Sequence, residues 1–75
     1  MKKFILDYIG NRSVSFIMIL DNAYHHRYGS THNHREDRKS ELSVEVSGIL
    51  EECQKEGTVG VNEYNFFYRK DLQHV

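Results

Sequence analysis

Lys3-Phe4-Ile5-Leu6-Asp7-Tyr8-Ile9, then Gly10-Asn11-Arg12, then Ser13-Val14-Ser15-Phe16-Ile17-Met18-Ile19-Leu20, is the stretch on which the fold turns. Two runs rich in Phe and Ile flank a Gly-Asn pair, and both of those residues tolerate positive φ. By these local signals the stretch reads as a β-hairpin, with strands over 3–9 and 13–20. Side chains alternate between the two faces of a strand. Phe4, Leu6 and Tyr8 then oppose Ile5 and Ile9, while Val14, Phe16, Met18 and Leu20 oppose Ile17 and Ile19. Both faces of such a hairpin are apolar.

Working outward, Asp21 to Lys39 contains no Leu, Ile, Val, Phe or Met and holds four of the five histidines. It reads as a long polar connection, a His-rich loop over 21–37, and connections of that length are often functional. From about Arg38 to Glu56 the spacing predicts a helix. Leu42, Val46, Ile49, Leu50 and Cys53 fall on one narrow face at 100° per residue. Asp37 or Ser40 is suited to cap its start, and Gly57 stands where a left-handed C-terminal cap belongs. Thr58 to Arg69 is β-rich, but its alternation slips near Asn62-Glu63. The slip fits one long bulged strand or a short hairpin. Asp71 to Val75 reads as a frayed tail.

The expected fold is therefore α+β, a single domain over 1–75. A three-stranded, or four-stranded, sheet carries one amphipathic helix on one face, in the order β-β-α-β. One helix covers one face, and a bare apolar patch of more than a few hundred Å2 is unusual on a soluble monomer. The second face calls for a neighbour, and self-association as a homodimer is the expectation.

Composition narrows the function classes. Leu, Ile, Val and Phe supply 20 of the 75 residues and the formal net charge is -1, which suits a folded chain. The single cysteine, Cys53, excludes an internal disulfide and suits a reducing, cytoplasmic setting. No apolar run approaches the roughly 20 residues of a membrane span. The apolar start is broken by Asp7 and is not followed by a small-residue cleavage site, so a signal peptide is not expected. Near-zero net charge argues against general binding to nucleic acid or an anionic membrane.

Two segments are candidates for function. The first runs from Tyr24 to Arg35 and offers His25, His26, Arg27, Tyr28 and Arg35, with His32 and His34 between them. Imidazoles can ligate a metal, and Arg and Tyr can contact phosphate and base. The spacing matches no zinc motif, so no metal or cofactor is expected. The second is the acidic edge of the helix, Glu41, Glu45, Glu52 and Glu56, which lie within about 60° of one another. Such an edge can orient docking onto a basic surface. Cys53, in phase with the buried face and near the helix C-terminus, reads as a core thiol rather than a nucleophile. Tyr64, Phe66, Phe67 and Tyr68 ahead of Arg69 and Lys70 suit core and interface more than nucleic acid.

The reading that follows is a non-enzymatic protein–protein interaction module, an inhibitor or adaptor of the kind viruses and mobile elements encode. It would occupy a surface of a larger protein through Glu41, Glu45 and Glu52, with His25, His26, Arg27, Tyr28 and Arg35 as a second contact. The alternative is a nucleic-acid- or metal-binding module built on the His/Arg segment.

Overall fold

The computed structural model describes residues 1–29 and 36–72, with only the backbone described at Glu36 and Asp37. It corrects the expected fold. Three helices, α1 (Lys2–Ile9), α2 (Phe16–Tyr28) and α3 (Glu36–Glu56), are followed by a two-stranded antiparallel sheet, β1 (Val59–Val61) and β2 (Phe67–Arg69). A 3-10 turn, Lys70–Leu72, follows.

The stretch read as a hairpin is two helices, and winding it resolves the two-faced pattern. On a helix, Phe4, Ile5, Leu6, Tyr8 and Ile9 fall within one broad arc, with Lys3 and Asp7 opposite. Ile5 and Ile9 are fully buried, whereas Lys3 and Asp7 are exposed. Gly10 does reverse the chain, but as a helix terminator. At φ 52° it donates its N–H to the Leu6 carbonyl at 3.0 Å. Arg12 then seals the end: Nε and Nη2 donate to the Tyr8 carbonyl oxygen at 3.1 and 2.9 Å.

Helix α2 begins at Ser15, whose Oγ accepts the Met18 N–H at 3.3 Å and so satisfies one of the unpaired first-turn donors. Its inward face is Phe16, Ile19, Leu20, Ala23, Tyr24 and Tyr28, a helical spacing that runs straight through the segment read as a polar loop. Residues 21–28 are therefore helix rather than connection. Only Val14 of the expected second strand enters a ladder, exchanging hydrogen bonds of 2.9 and 2.7 Å with Phe67.

Helix α3 carries the apolar face that its sequence spells out, with Leu42, Val46, Leu50 and Cys53 buried and Ile49 packed beside them. It starts at Glu36, so Ser40 lies a turn inside it rather than at its cap. Gly57, at φ 82°, closes it: its N–H bonds the Gln54 carbonyl and the Thr58 N–H bonds the Cys53 carbonyl. The last β segment is a hairpin, with Val59 opposite Arg69, Gly60 opposite Tyr68 and Val61 opposite Phe67. The core takes Ile5 and Ile9 from α1, Val14, four residues from α2, four from α3, and Val59. Most of the side chains assigned to the two sheet faces thus pack within the chain, with Ile17 and Met18 left exposed, and the premise for sheet-mediated dimerisation goes with the sheet.

Ile17 and Ile19 separate the two topologies. They share a face on a strand, but on α2 Ile19 is buried and Ile17 is 74% exposed. Ile19→Ala is expected to cost about 2–4 kcal/mol and Ile17→Ala less than about 0.5 kcal/mol, measured by urea denaturation. Equal losses would restore the strand reading.

Candidate functional site

The acidic edge of α3 is present, but most of it faces inward partners. Glu45 takes a two-pronged contact from Arg27 of α2, Nη1 to Oε1 at 3.1 Å and Nη2 to Oε2 at 2.5 Å. Lys2 of α1 donates to both carboxylate oxygens of Glu56 at 3.0 Å and lies 3.7 Å from Glu52. Two charges of the expected docking ridge thereby become clamps that tie α1 and α2 to α3. Glu41 is exposed, and among the described residues it has no ion-pair partner. The hydrogen bond from Arg27 holds the Glu45 carboxyl below its ordinary range, and that to Glu56 raises the Lys2 ammonium above its own.

The His/Arg group is dispersed by the helix that contains it. His26 stacks on Phe4 of α1, centroids 4.0 Å apart and planes within 12°. Tyr28 is half-buried, tilted on Tyr24 at 4.8 Å, with the Arg38 guanidinium 5.3 Å from its ring centre. His25 is exposed in the last turn of α2, where Arg27 is already paired. His32, His34 and Arg35 lie outside the described residues. Among the described residues no group of three or more His, Cys, Asp or Glu is placed to hold a metal. Cys53 is buried, and burial pushes its thiol pKa upward, as a core residue near a helix C-terminus should behave.

A cleft of about 440 Å3 opens where Leu20 faces Lys39, Ser40 and Ser43. Among the described residues its lining offers a cation and two hydroxyls but no carboxylate, imidazole or thiol.

The hairpin tip is the feature that the charge-based reading passed over. Tyr64 is 72% exposed, Phe66 41% and Val61 39%. The loop carrying them is rigidly built. Asn62 Oδ1 accepts from the Tyr64 N–H at 2.9 Å and the Phe66 N–H at 3.0 Å, and the Asn62 carbonyl accepts from the Asn65 N–H at 3.0 Å. Asn65 takes the left-handed conformation, φ 63°, that Asn tolerates better than most residues. The phase slip at Asn62-Glu63 was the sequence signal for this loop, which spans the five residues 62–66 between the strands. The first turn of α2 starts directly after the Val14–Phe67 bridge and adds exposed Ile17 and Met18.

No protein-family model matches the chain, and neither a curated protein nor a solved structure matches it. Among the described residues no helix is long and apolar enough to cross a membrane.

The clamps set the pH response. A carboxyl whose folded pKa is lowered contributes stability above its unfolded pKa and loses it as pH falls through the folded value. Glu45, and Asp71 under its hydrogen bond from Arg69, are of this kind. Lys2, with a raised pKa, contributes below the ordinary lysine range and loses its contribution only in strong alkali. Melting temperature should therefore be flat near neutrality and fall in acid below about pH 4. Glu45→Gln should melt lower at pH 7 and show a shallower acid decline. An identical acid profile in both proteins would remove the clamp.

Proposed function

We propose that the protein is a small non-enzymatic protein–protein interaction module, an inhibitor or adaptor, and that its hairpin tip is the anchor it inserts into a larger protein. The observation that carries this reading is an aromatic pair held in the open by a loop that is already ordered. Tyrosine is enriched among the few residues that carry most of the energy at the centre of interfaces. A rigid loop also avoids the ordering cost that a flexible one bears on binding.

Area decides the shape of the partner. Aromatic side chains bury about 150–250 Å2 each, so the exposed part of this tip offers on the order of 200–300 Å2. A stable two-sided interface needs about 800 Å2 from each partner. The tip is too small to hold two copies together face to face, but it suits a plug entering an apolar pocket on a larger surface. Glu41, the one member of the acidic ridge without an ion pair among the described residues, can still steer approach. The alternative centred on the His/Arg segment has less support, because His26, Arg27 and Tyr28 are committed to internal contacts.

Quantitative affinity capture from the native cell tests the reading, with each captured protein remade and titrated directly against the chain. A partner held by wild type should be lost with Tyr64→Ala and Phe66→Ala, each weakening binding by about 2 kcal/mol or more. Melting temperatures should stay near wild type. Glu41→Lys should alter the association rate and its salt dependence more than the affinity. Partners that bind the tip variants as tightly as wild type would overturn the proposal.

A further inference from the structure

The hairpin has a second surface, which meets its tip at Phe66. Residues directly opposite in a ladder share a face, and faces alternate along each strand. Val59 and Arg69, with Val61 and Phe67, form one face. Val59 is buried there, Phe67 packs against the core, and Arg69 reaches the Leu6 carbonyl at 3.5 Å. Gly60, Tyr68, Phe66 and Lys70 therefore lie on the outer face, with Asn62 bonded to the Phe66 carbonyl at the loop end.

Gly60 shows how that face is arranged. A Cβ built on it would come within 2.7 Å of Cζ and Oη of Tyr68 and of Cε of Lys70. The phenol end of Tyr68 thus lies over the glycine, with the lysine stem beside it. Tyr68 remains half-buried rather than enclosed, and among the described residues no other ring or guanidinium stacks on it. Phe66 stands two residues away on the same face, about 7 Å along the strand. The charge at this surface is also settled. Asp71 is occupied by Arg69, Nε to Oδ1 at 3.0 Å and Nη2 to Oδ2 at 2.6 Å. That leaves Lys70 as an exposed cation with no ion pair among the described residues.

A partly exposed aromatic ring, a second aromatic two residues before it and a neighbouring ammonium are the parts of a stacking platform for bases with a contact to their phosphates. From this we infer that the outer face of the hairpin binds single-stranded nucleic acid, two bases lying on Tyr68 and Phe66 and a phosphate meeting Lys70. The inference goes beyond the protein-binding role and does not depend on it: the two share Phe66, but Tyr64 and Val61 take no part in nucleic-acid binding and Tyr68 and Lys70 take none in the tip. Duplex readout by α3, as in a helix-turn-helix, is not favoured: its solvent face carries Glu41, Val44 and Glu51.

Fluorescence anisotropy of a labelled oligothymidine, titrated with the full chain at low salt, tests the inference. Saturable binding is expected, falling as salt rises. Lys70→Gln should weaken it and reduce the salt slope by about 0.7, the value for one single-strand phosphate contact. Phe66→Leu and Tyr68→Leu should each weaken it by about fivefold or more, the loss of one stacked base. Gly60→Ala, which lifts the ring, should weaken it too, while Tyr64→Ala should leave it unchanged. Circular dichroism confirms that each variant is folded. Absence of binding, unchanged affinity in Lys70→Gln and Phe66→Leu, or equal affinity for the matching duplex would overturn the inference.

Discussion

The helix α3 is the element to which α2 and β1 pack and to which α1 is tied by an ion pair. A chain of 75 residues without a disulfide has to assemble its core from few side chains, and α3 is the longest element available. Its apolar edge, Leu42, Val46, Leu50 and Cys53, is the strip against which α2 and β1 close. Its acidic edge is the strip to which Lys2 and Arg27 return. The two edges act on the same pieces. Burial brings α2 to the helix and packs α1 against α2 and β2, while the ion pairs tie Lys2 of α1 and Arg27 of α2 to α3. Exposed ion pairs contribute little stability individually, so their part is orientation, while the packed side chains hold the fold.

This division accounts for the ion pairs along the acidic edge. Like charges at Glu41, Glu45, Glu52 and Glu56 repel along the helix unless cations face them. The chain supplies those cations itself, from its first turn and from the end of α2. The exposed aromatic side chains lie instead on the hairpin, Tyr64 and Phe66 at its tip, with half-buried Tyr68 beside Lys70. Both proposed roles place recognition on the hairpin, which contributes only Val59 to the fully buried core.

Much of α3 was legible in its sequence because five apolar residues keep helical spacing over three turns and Gly57 ends them. The first twenty residues were not, for a physical reason. Apolar runs of seven or eight residues do not separate strand from helix by periodicity alone. Exposed Ile17 and Met18 lengthened the second run until it resembled a strand. The inward face of α2 continues through Ala23 and Tyr24, residues that a search for large aliphatic side chains passes over. A local signal did exist, in Ser15 placed three residues before Met18 as a cap. At the site, the acidic edge was legible but its partners were not, since Lys2 and Arg27 lie 54 and 18 residues from the carboxylates that they meet. Such pairings belong to the tertiary fold. The hairpin was foreshadowed by the slip at Asn62-Glu63, but the exposure of its aromatics follows from which face α3 covers.

The central claim is that the apolar stretch at the start of the chain winds into two helices around α3, which leaves the hairpin as the outward surface. Backbone Cα chemical shifts measured by NMR on the labelled protein test this most directly. Downfield, helical deviations over 2–9 and 16–28, with strand-type deviations confined to 59–61 and 67–69, are the expected result. Upfield, strand-type deviations across 3–9 and 13–20 would contradict the account and return the aromatic tip to the middle of a larger sheet.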